Sequence, residues 1–421
     1  MNTVTELLRA DSRVSGYKFN IHKKESFELF FVKGRLETVR STDTCDREVT
    51  VYVDHDGFRG DAQFFIYPST TAEQLRALID EAVGKALLID NQAYELPEKQ
   101  TGSYTVESNF ADYAPGELAG LIAEAVFSAN DIPNASLNSV EIFLNRHTET
   151  VVNSRGLDKI QVRYDAMVEA IPTYNGEKQS VELYQQYNFS TMDPEAIRAE
   201  IADKLAAVKA RYEAVTPEQP LDCPVVLNRQ ELAELFGSIA QDLNYATVYA
   251  HANLFRKGQP IQKDPTGDPI GITMKGQISG SVRSARFDSD GLSLGSIRLV
   301  EDGQAVNYYG SNRYGQYLGE TPTGSLPCLA ADPGTAGTPQ GAYLEVISMS
   351  GLQVDLYNDY IGGEIRLAYY HQGRQVLPVT GISISGCLSQ VLNTIRLSSD
   401  TAVYRGYQGP AQAILSQMKI F

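Results

Sequence analysis

The side chains in this sequence best suited to hold a transition metal are five histidines and four cysteines, and their spacing argues against a self-contained site. His22, His55, His147, His251 and His371 are scattered, and the closest two in sequence are 33 positions apart. A helix-borne zinc site needs two imidazoles about a turn apart, with a glutamate beside one of them to activate the metal-bound water. No such grouping occurs. The nearest cysteines, Cys328 and Cys387, are 59 positions apart, so Cys45, Cys223, Cys328 and Cys387 form no CxxC pair and read as small buried hydrophobes in a reducing compartment. A site assembled from distant residues, such as His251, His371 and Cys387, stays open at this level. His55 and His371 fall in predicted hairpin turns, where an ordinary solvent-facing role is the simpler reading.

Other chemistries leave little trace. There is no Gly-x-Ser-x-Gly elbow, no Walker A loop and no dinucleotide-binding glycine pattern between a strand and a helix. Gly276 to Gly280 reads as a turn or bulge, and Asp332 to Pro339 as a surface loop. Aromatic usage is more telling, with 24 tyrosines and no tryptophan. Tyr308, Tyr309, Tyr314 and Tyr317 cluster, as do Tyr357, Tyr360, Tyr369 and Tyr370. Tyrosine suits a half-wet strand surface that grips an extended peptide by main-chain pairing and ring contacts. Tyr308, Tyr309, Tyr314 and Tyr360 are therefore the candidate substrate contacts; plain packing of sheet faces is the alternative.

Elements must position these residues, and the pattern is mixed. Phe27–Val32 reads as a strand, and Val49–Val53 and Arg59–Tyr67 flank an Asp56-Gly57 hairpin turn. Thr70 and Glu73 form a predicted capping box before an apolar stripe from Leu75 to Leu87. Pro115 opens a second helix, strands follow at about 139–152 and 160–171, and Asp193-Pro194 opens a third helix. Thr216-Pro217-Glu218-Gln219-Pro220 is the best boundary. Beyond it, a helix capped by Asn228 and Glu231 leads into a long region rich in Gly, Ser and Tyr, with hairpin turns at 300–304 and 370–374 and a short helix near 387–395. Hairpins outnumber strand–helix–strand spacings. The expectation is an α+β fold with mainly antiparallel sheets, organised as 1–100, 101–219 and a β-rich 220–421.

Composition bounds the function. With 36 basic and 52 acidic residues the formal net charge is −16, which argues against direct binding of DNA or RNA. No signal-peptide pattern and no run of about 18 apolar residues appears, so a soluble, cytoplasmic protein without membrane partners is expected.

The order of short motifs is similar to that of the TldD/PmbA family, metallopeptidase-related proteins also called modulators of DNA gyrase. The resemblance rests on Val49–Val53 with Asp56-Gly57, Asn153-Ser154-Arg155-Gly156-Leu157, Pro224-Val225-Val226-Leu227, Phe287-Asp288-Ser289-Asp290-Gly291, Leu299 to Gly303, Pro378 to Gly386 and Gln417 to Ile420. It implies that the helix after Pro224–Leu227 is the one carrying HExxxH in TldD-type members. It places the two ligands and the base at Gly237, Ser238 and Asp242, none of which suits zinc as the family uses it. The further cysteine ligand is also missing, with Arg405 to Pro410 in its place. The chain thus resembles the PmbA, or TldE, type. That type implies a non-catalytic subunit that binds no metal itself, pairs with a zinc-bearing TldD-type HExxxH subunit, and encloses a chamber for unfolded peptides. Enzymatic activity is then expected only with the partner. The alternatives are a stand-alone homodimeric peptide-binding or scaffold protein, and a hydrolase with an unrecognised site. The gyrase label finds no physical support at this net charge.

Overall fold

The structure is a computed structural model describing residues 2–421. Eight strands from the first 189 residues form one sheet: β1 (Gly16–Val32), β2 (Arg35–His55), β3 (Phe58–Phe65), β4 (Thr101–Thr105), β5 (Ala135–Asn153), β6 (Asp158–Asn175), β7 (Ser180–Glu182) and β8 (Gln185–Phe189). Its spine runs β3-β2-β1-β5-β6-β4, antiparallel except for the last pair. Strands from both sides of residue 100 therefore share a sheet. The turn between β2 and β3 is the expected Asp56-Gly57, with positive φ at both residues, which a two-residue hairpin turn of this type demands.

Side chains alternate across a strand, so the two faces of this sheet can be read from the register. Odd-numbered residues of β1 (Tyr17, Phe19, Leu29, Phe31) are buried with Val49, Val51 and Val53 of β2 and Ile142 and Leu144 of β5. Four helices cover that face: α1 (Asn2–Ala10), α2 (Ala72–Ala86), α3 (Pro115–Ser128) and α4 (Pro194–Glu213). The even-numbered face is polar. It carries Lys18, Asn20, His22, Lys24, Ser26 and Glu28 beside His147, Glu149 and Asn153 of β5 and Gln161, Arg163 and Asp165 of β6.

Helix α2 begins one residue later than its sequence suggests. Thr71, not Thr70, caps it, with Gln74 returning the bond to the Thr71 amide. Thr70 instead accepts a hydrogen bond from the Tyr67 amide through its hydroxyl. Helices α3 and α4 start at Pro115 and Pro194 as expected, the latter capped by the Asp193 carboxylate.

After a stretch without strands or helices from Ala214 to Pro224, the chain builds a six-stranded and a nine-stranded sheet, mainly antiparallel, around one apolar core. Helix α5 (Arg229–Asp242) lies in that core. Leu232, Leu235, Phe236 and Ile239 are fully buried, each worth roughly 1.5–3 kcal/mol of transfer free energy. Asn228 caps α5 by accepting from the Gln230 amide, whereas Glu231 is buried with its Oε2 unpartnered and does not complete a capping box. Among the described residues no helix is long and apolar enough to cross a membrane.

The polar face of the N-terminal sheet meets this second half. Lys18 Nζ donates to Asp290 at 2.6 Å, Lys159 Nζ donates to the Gly291 carbonyl and the Ser293 hydroxyl, and the Gln161 carboxamide receives the Arg286 amide. Burial pulls the Lys18 ammonium down, but Asp290 beside it outweighs that and holds it above its ordinary value. Phe287 to Ser293 is thus clamped from the sheet by two buried lysines.

Candidate functional site

Helix α5 presents one face away from the core. Gly237, Ser238, Gln241 and Asp242, with Glu234 a turn earlier, border a groove of about 860 Å³. The opposite bank is the segment Leu352 to Tyr357 together with Tyr360. These banks are fixed locally: Glu234 Oε2 accepts from the Leu352 amide at 3.0 Å, and Thr247 Oγ1 donates to the Gln241 carbonyl.

The three positions of interest are occupied in ways that decide their chemistry. A side chain at Gly237 would point into open space, but glycine offers no ligand. Ser238 Oγ donates back to the Glu234 carbonyl at 2.9 Å, a local bond that takes its proton away from the groove. Asp242 is 4% exposed and fully engaged: Oδ1 accepts from the Leu254 amide and Oδ2 from the Phe255 amide, both at 2.8 Å. Burial raises the proton affinity of this carboxyl, and the two amides oppose it without overcoming it. The donor set does not fit a zinc ion. Among the described residues no three His, Cys, Asp or Glu side chains are gathered to hold one, so His251, His371 and Cys387 are not brought together. His371 instead stacks on Tyr343 and bonds Glu345 at 2.9 Å, and it lies within a strand (Tyr360–Gln372) rather than in the turn itself.

Of the four candidate tyrosines only Tyr360 borders the groove. Tyr309 is buried in the core, its main chain bridged to Asn244, so it offers no surface to a ligand. Tyr308 is partly buried and its hydroxyl accepts from the Lys257 amide. Tyr314 belongs to a separate aromatic group with Tyr249, Tyr317 and Arg313. Proximity in sequence did not make these rings one wall.

A second constellation lies on the polar face of the N-terminal sheet. His22 Nε2 and His147 Nδ1 are 2.8 Å apart, and His147 Nε2 is 2.7 Å from Asp165 Oδ2. Burial pushes Asp165 up, but hydrogen bonds from His147 and Asn145 outweigh it and hold the carboxyl below its usual range. Burial and the neighbouring His147 hold His22 below the ordinary imidazole range. An ionised carboxylate only accepts, so a neutral His147 carries its proton on Nε2 and accepts on Nδ1 the hydrogen bond donated by His22 Nε2–H. This fixes both tautomers and leaves His22 Nδ1 as an acceptor. Beside it Glu149 receives Arg163 and Gln161. Spacing in sequence could not reveal this cluster, since His22 and His147 are 125 positions apart and meet only through the β1–β5 register.

The family described as the PmbA/TldA metallopeptidase C-terminal domain matches residues 220–420. Over these residues the chain is similar to the C-terminal domain of the PmbA/TldD metallopeptidases. No curated protein matches it in sequence. Among solved structures, TldE from Thermococcus kodakarensis superposes with a TM-score of 0.80 at 14% identity, covering 99% of each chain. A protein described as a candidate modulator of a DNA gyrase from Thermotoga maritima gives 0.77 at 15% identity, covering 100% of this chain and 99% of that one. One with a similar description from Bacteroides thetaiotaomicron gives 0.78 at 12%, covering 100% and 96%. At these identities the likeness concerns the fold alone, and it extends over the whole chain, N-terminal sheet included.

Proposed function

We propose that this chain is the non-catalytic subunit of a two-subunit metallopeptidase acting on extended, unfolded peptides, with zinc held by an HExxxH-bearing partner. In this reading residues 1–100 and 101–219 form a wall, and 220–421 is a peptidase-like half that has lost its metal. The observation that carries it is Asp242: both carboxylate oxygens are spent on the amides of Leu254 and Phe255, at the position where the family resemblance puts a ligand. Gly237 and Ser238 on the same helix face supply neither a ligand nor a base. The resemblance in fold to TldE from Thermococcus kodakarensis supports the same reading.

The test is coexpression with an HExxxH-bearing family member, followed by size-exclusion mass, metal analysis and digestion of an unstructured peptide. The expected result is a mixed complex that cleaves the peptide, with zinc stoichiometric to the partner alone. No complex, or cleavage unaffected by leaving this chain out, overturns the proposal. Chelator-sensitive turnover by the purified chain alone would favour an independent hydrolase. A stable homodimer binding peptide without any partner would favour a scaffold role.

A further inference from the structure

A cavity of about 510 Å³ opens between the polar face of the N-terminal sheet and the second half of the chain. Asn20, His22, Glu149, Gln161 and Arg163 supply its sheet wall, and Arg283, Phe287 and Asp288 lie across from them. Most of its polar groups are already satisfied. Gln161 bonds Glu149 and the Phe287 carbonyl and receives the Arg286 amide, while Arg163 bonds Glu149. Two groups are not. Asn20 Oδ1 is buried without a hydrogen-bond partner, a costly arrangement for a polar atom. His22 Nδ1 is left as an acceptor by the Asp165–His147 relay behind it.

Asn20 and His22 are two residues apart on one strand and face the same side, so their side chains repeat at about 6.8 Å. An extended peptide presents main-chain N–H groups along one edge with the same repeat, because it too advances two residues between like-facing amides. Glu149 and Asp288 offset Arg163 and Arg283, so the cavity has no strong net charge to select a charged side chain. A neutral ligand with regularly spaced donors matches it best.

We propose that this cavity is a subsite for the main chain of an extended peptide, with Asn20 and His22 accepting alternate peptide N–H groups. His147 and Asp165 are positioning residues that keep His22 Nδ1 free to accept. The proposal rests on the peptide-handling role above and assigns a place for it on this chain rather than on its partner. Protonation of His22 turns Nδ1 into a donor, so affinity falls as the solution becomes acidic. Burial, His147 and Arg163 hold this step down while Glu149 and Asp46 raise it, and Lys24 on β1, Asp165 on β6 and Arg283 and Asp288 from across the cavity are the other charged groups around it.

The experiment is fluorescence anisotropy on the full-length chain with a fluorescein-labelled, unstructured peptide of alanine, glycine and serine, and with the same peptide N-methylated at alternate amides. Asn20→Ala and His22→Phe should each weaken binding by about tenfold, and N-methylation should weaken the wild type by as much but leave the double variant unchanged. His22→Asn keeps an acceptor without titrating, so it should bind near wild-type strength and lose the acid-side fall. His147→Phe should shift the pH profile. Unchanged thermal midpoints establish that the variants are folded. The idea is overturned if the wild-type chain binds neither peptide, if N-methylation has no effect on it, or if the double variant binds as well as the wild type. These readouts use this chain alone, so failure to assemble with an HExxxH partner sinks the functional proposal without touching them. A cleaving complex whose peptide affinity ignores Asn20 and His22 sinks only this one.

Discussion

Replacing Glu231 by glutamine tests how the second half of the molecule stores an acid it does not use. Glu231 sits in the first turn of α5, is 2% exposed, and has an unpartnered Oε2. Burial pushes its carboxyl up to about 7, helped by Glu234, while nearby amides and Lys204 oppose it. The folded state therefore holds a proton on this group more tightly than the unfolded chain, whose glutamate titrates at 4.5. Stability is at its fullest below the unfolded value and declines as pH rises towards 7, because the unfolded chain gives up its proton first. At roughly 1.4 kcal/mol per pH unit this window amounts to about 3 kcal/mol. Glutamine cannot ionise, so Glu231→Gln should leave stability nearly unchanged at pH 4 and raise it by about 3 kcal/mol at pH 8, or about 6–12 °C in the midpoint of a 200-residue unit. Thermal unfolding of both proteins at the two pH values gives the answer, since titrations common to both cancel in the difference. A variant no more stable than wild type at pH 8, or a gain of equal size at both pH values, would refute the reasoning.

Three further outcomes follow from contacts described above. Asp242→Ala leaves the Leu254 and Phe255 amides without their acceptor and should cost about 2–4 kcal/mol in thermal unfolding, with Asp242→Asn costing less because one acceptor survives. Asp290→Ala strands the Lys18 ammonium, whose side chain is 9% exposed; about 3 kcal/mol should be lost, and pairing the change with Lys18→Met should recover most of it. Gly60→Ala places a Cβ 1.7 Å from the Ala86 carbonyl oxygen, so α2 must shift; more than about 3 kcal/mol should be lost, measured as soluble yield and midpoint.

Much of the fold was legible because it was written locally. The Asp56-Gly57 and Asp302-Gly303 turns adopt the positive φ values their residue types favour, and Pro115 and Pro194 open helices as their missing N–H permits. The same logic failed where structure is decided by neighbours. Only Phe27–Val32 stood out as strand, yet β1 begins at Gly16, because Lys18 to Ser26 alternate polar residues with few apolar ones and are kept extended by partners on both sides. The short helices Tyr245–Tyr249 and Asn312–Tyr317 carry too little periodicity to declare themselves. At the α5 groove, the family resemblance located Gly237, Ser238 and Asp242, but nothing in the sequence said that Asp242 would be consumed by amides twelve and thirteen residues on. The tyrosines misled for a related reason: Tyr309 is turned inward by its bridge to Asn244, a contact that composition cannot express.

The polar face of the N-terminal sheet also bears on how such a chain is made. Residues 16–189 complete the sheet before the segment that will clamp against it, Phe287 to Ser293, has left the ribosome. Exposed apolar surface on a half-synthesised chain invites aggregation. Here the waiting surface is lysine, asparagine, histidine and glutamate, which water solvates well, so the nascent wall can stand in solution until its cover arrives. The same polarity that suits the finished wall to hydrogen bonding lets the unfinished one wait safely.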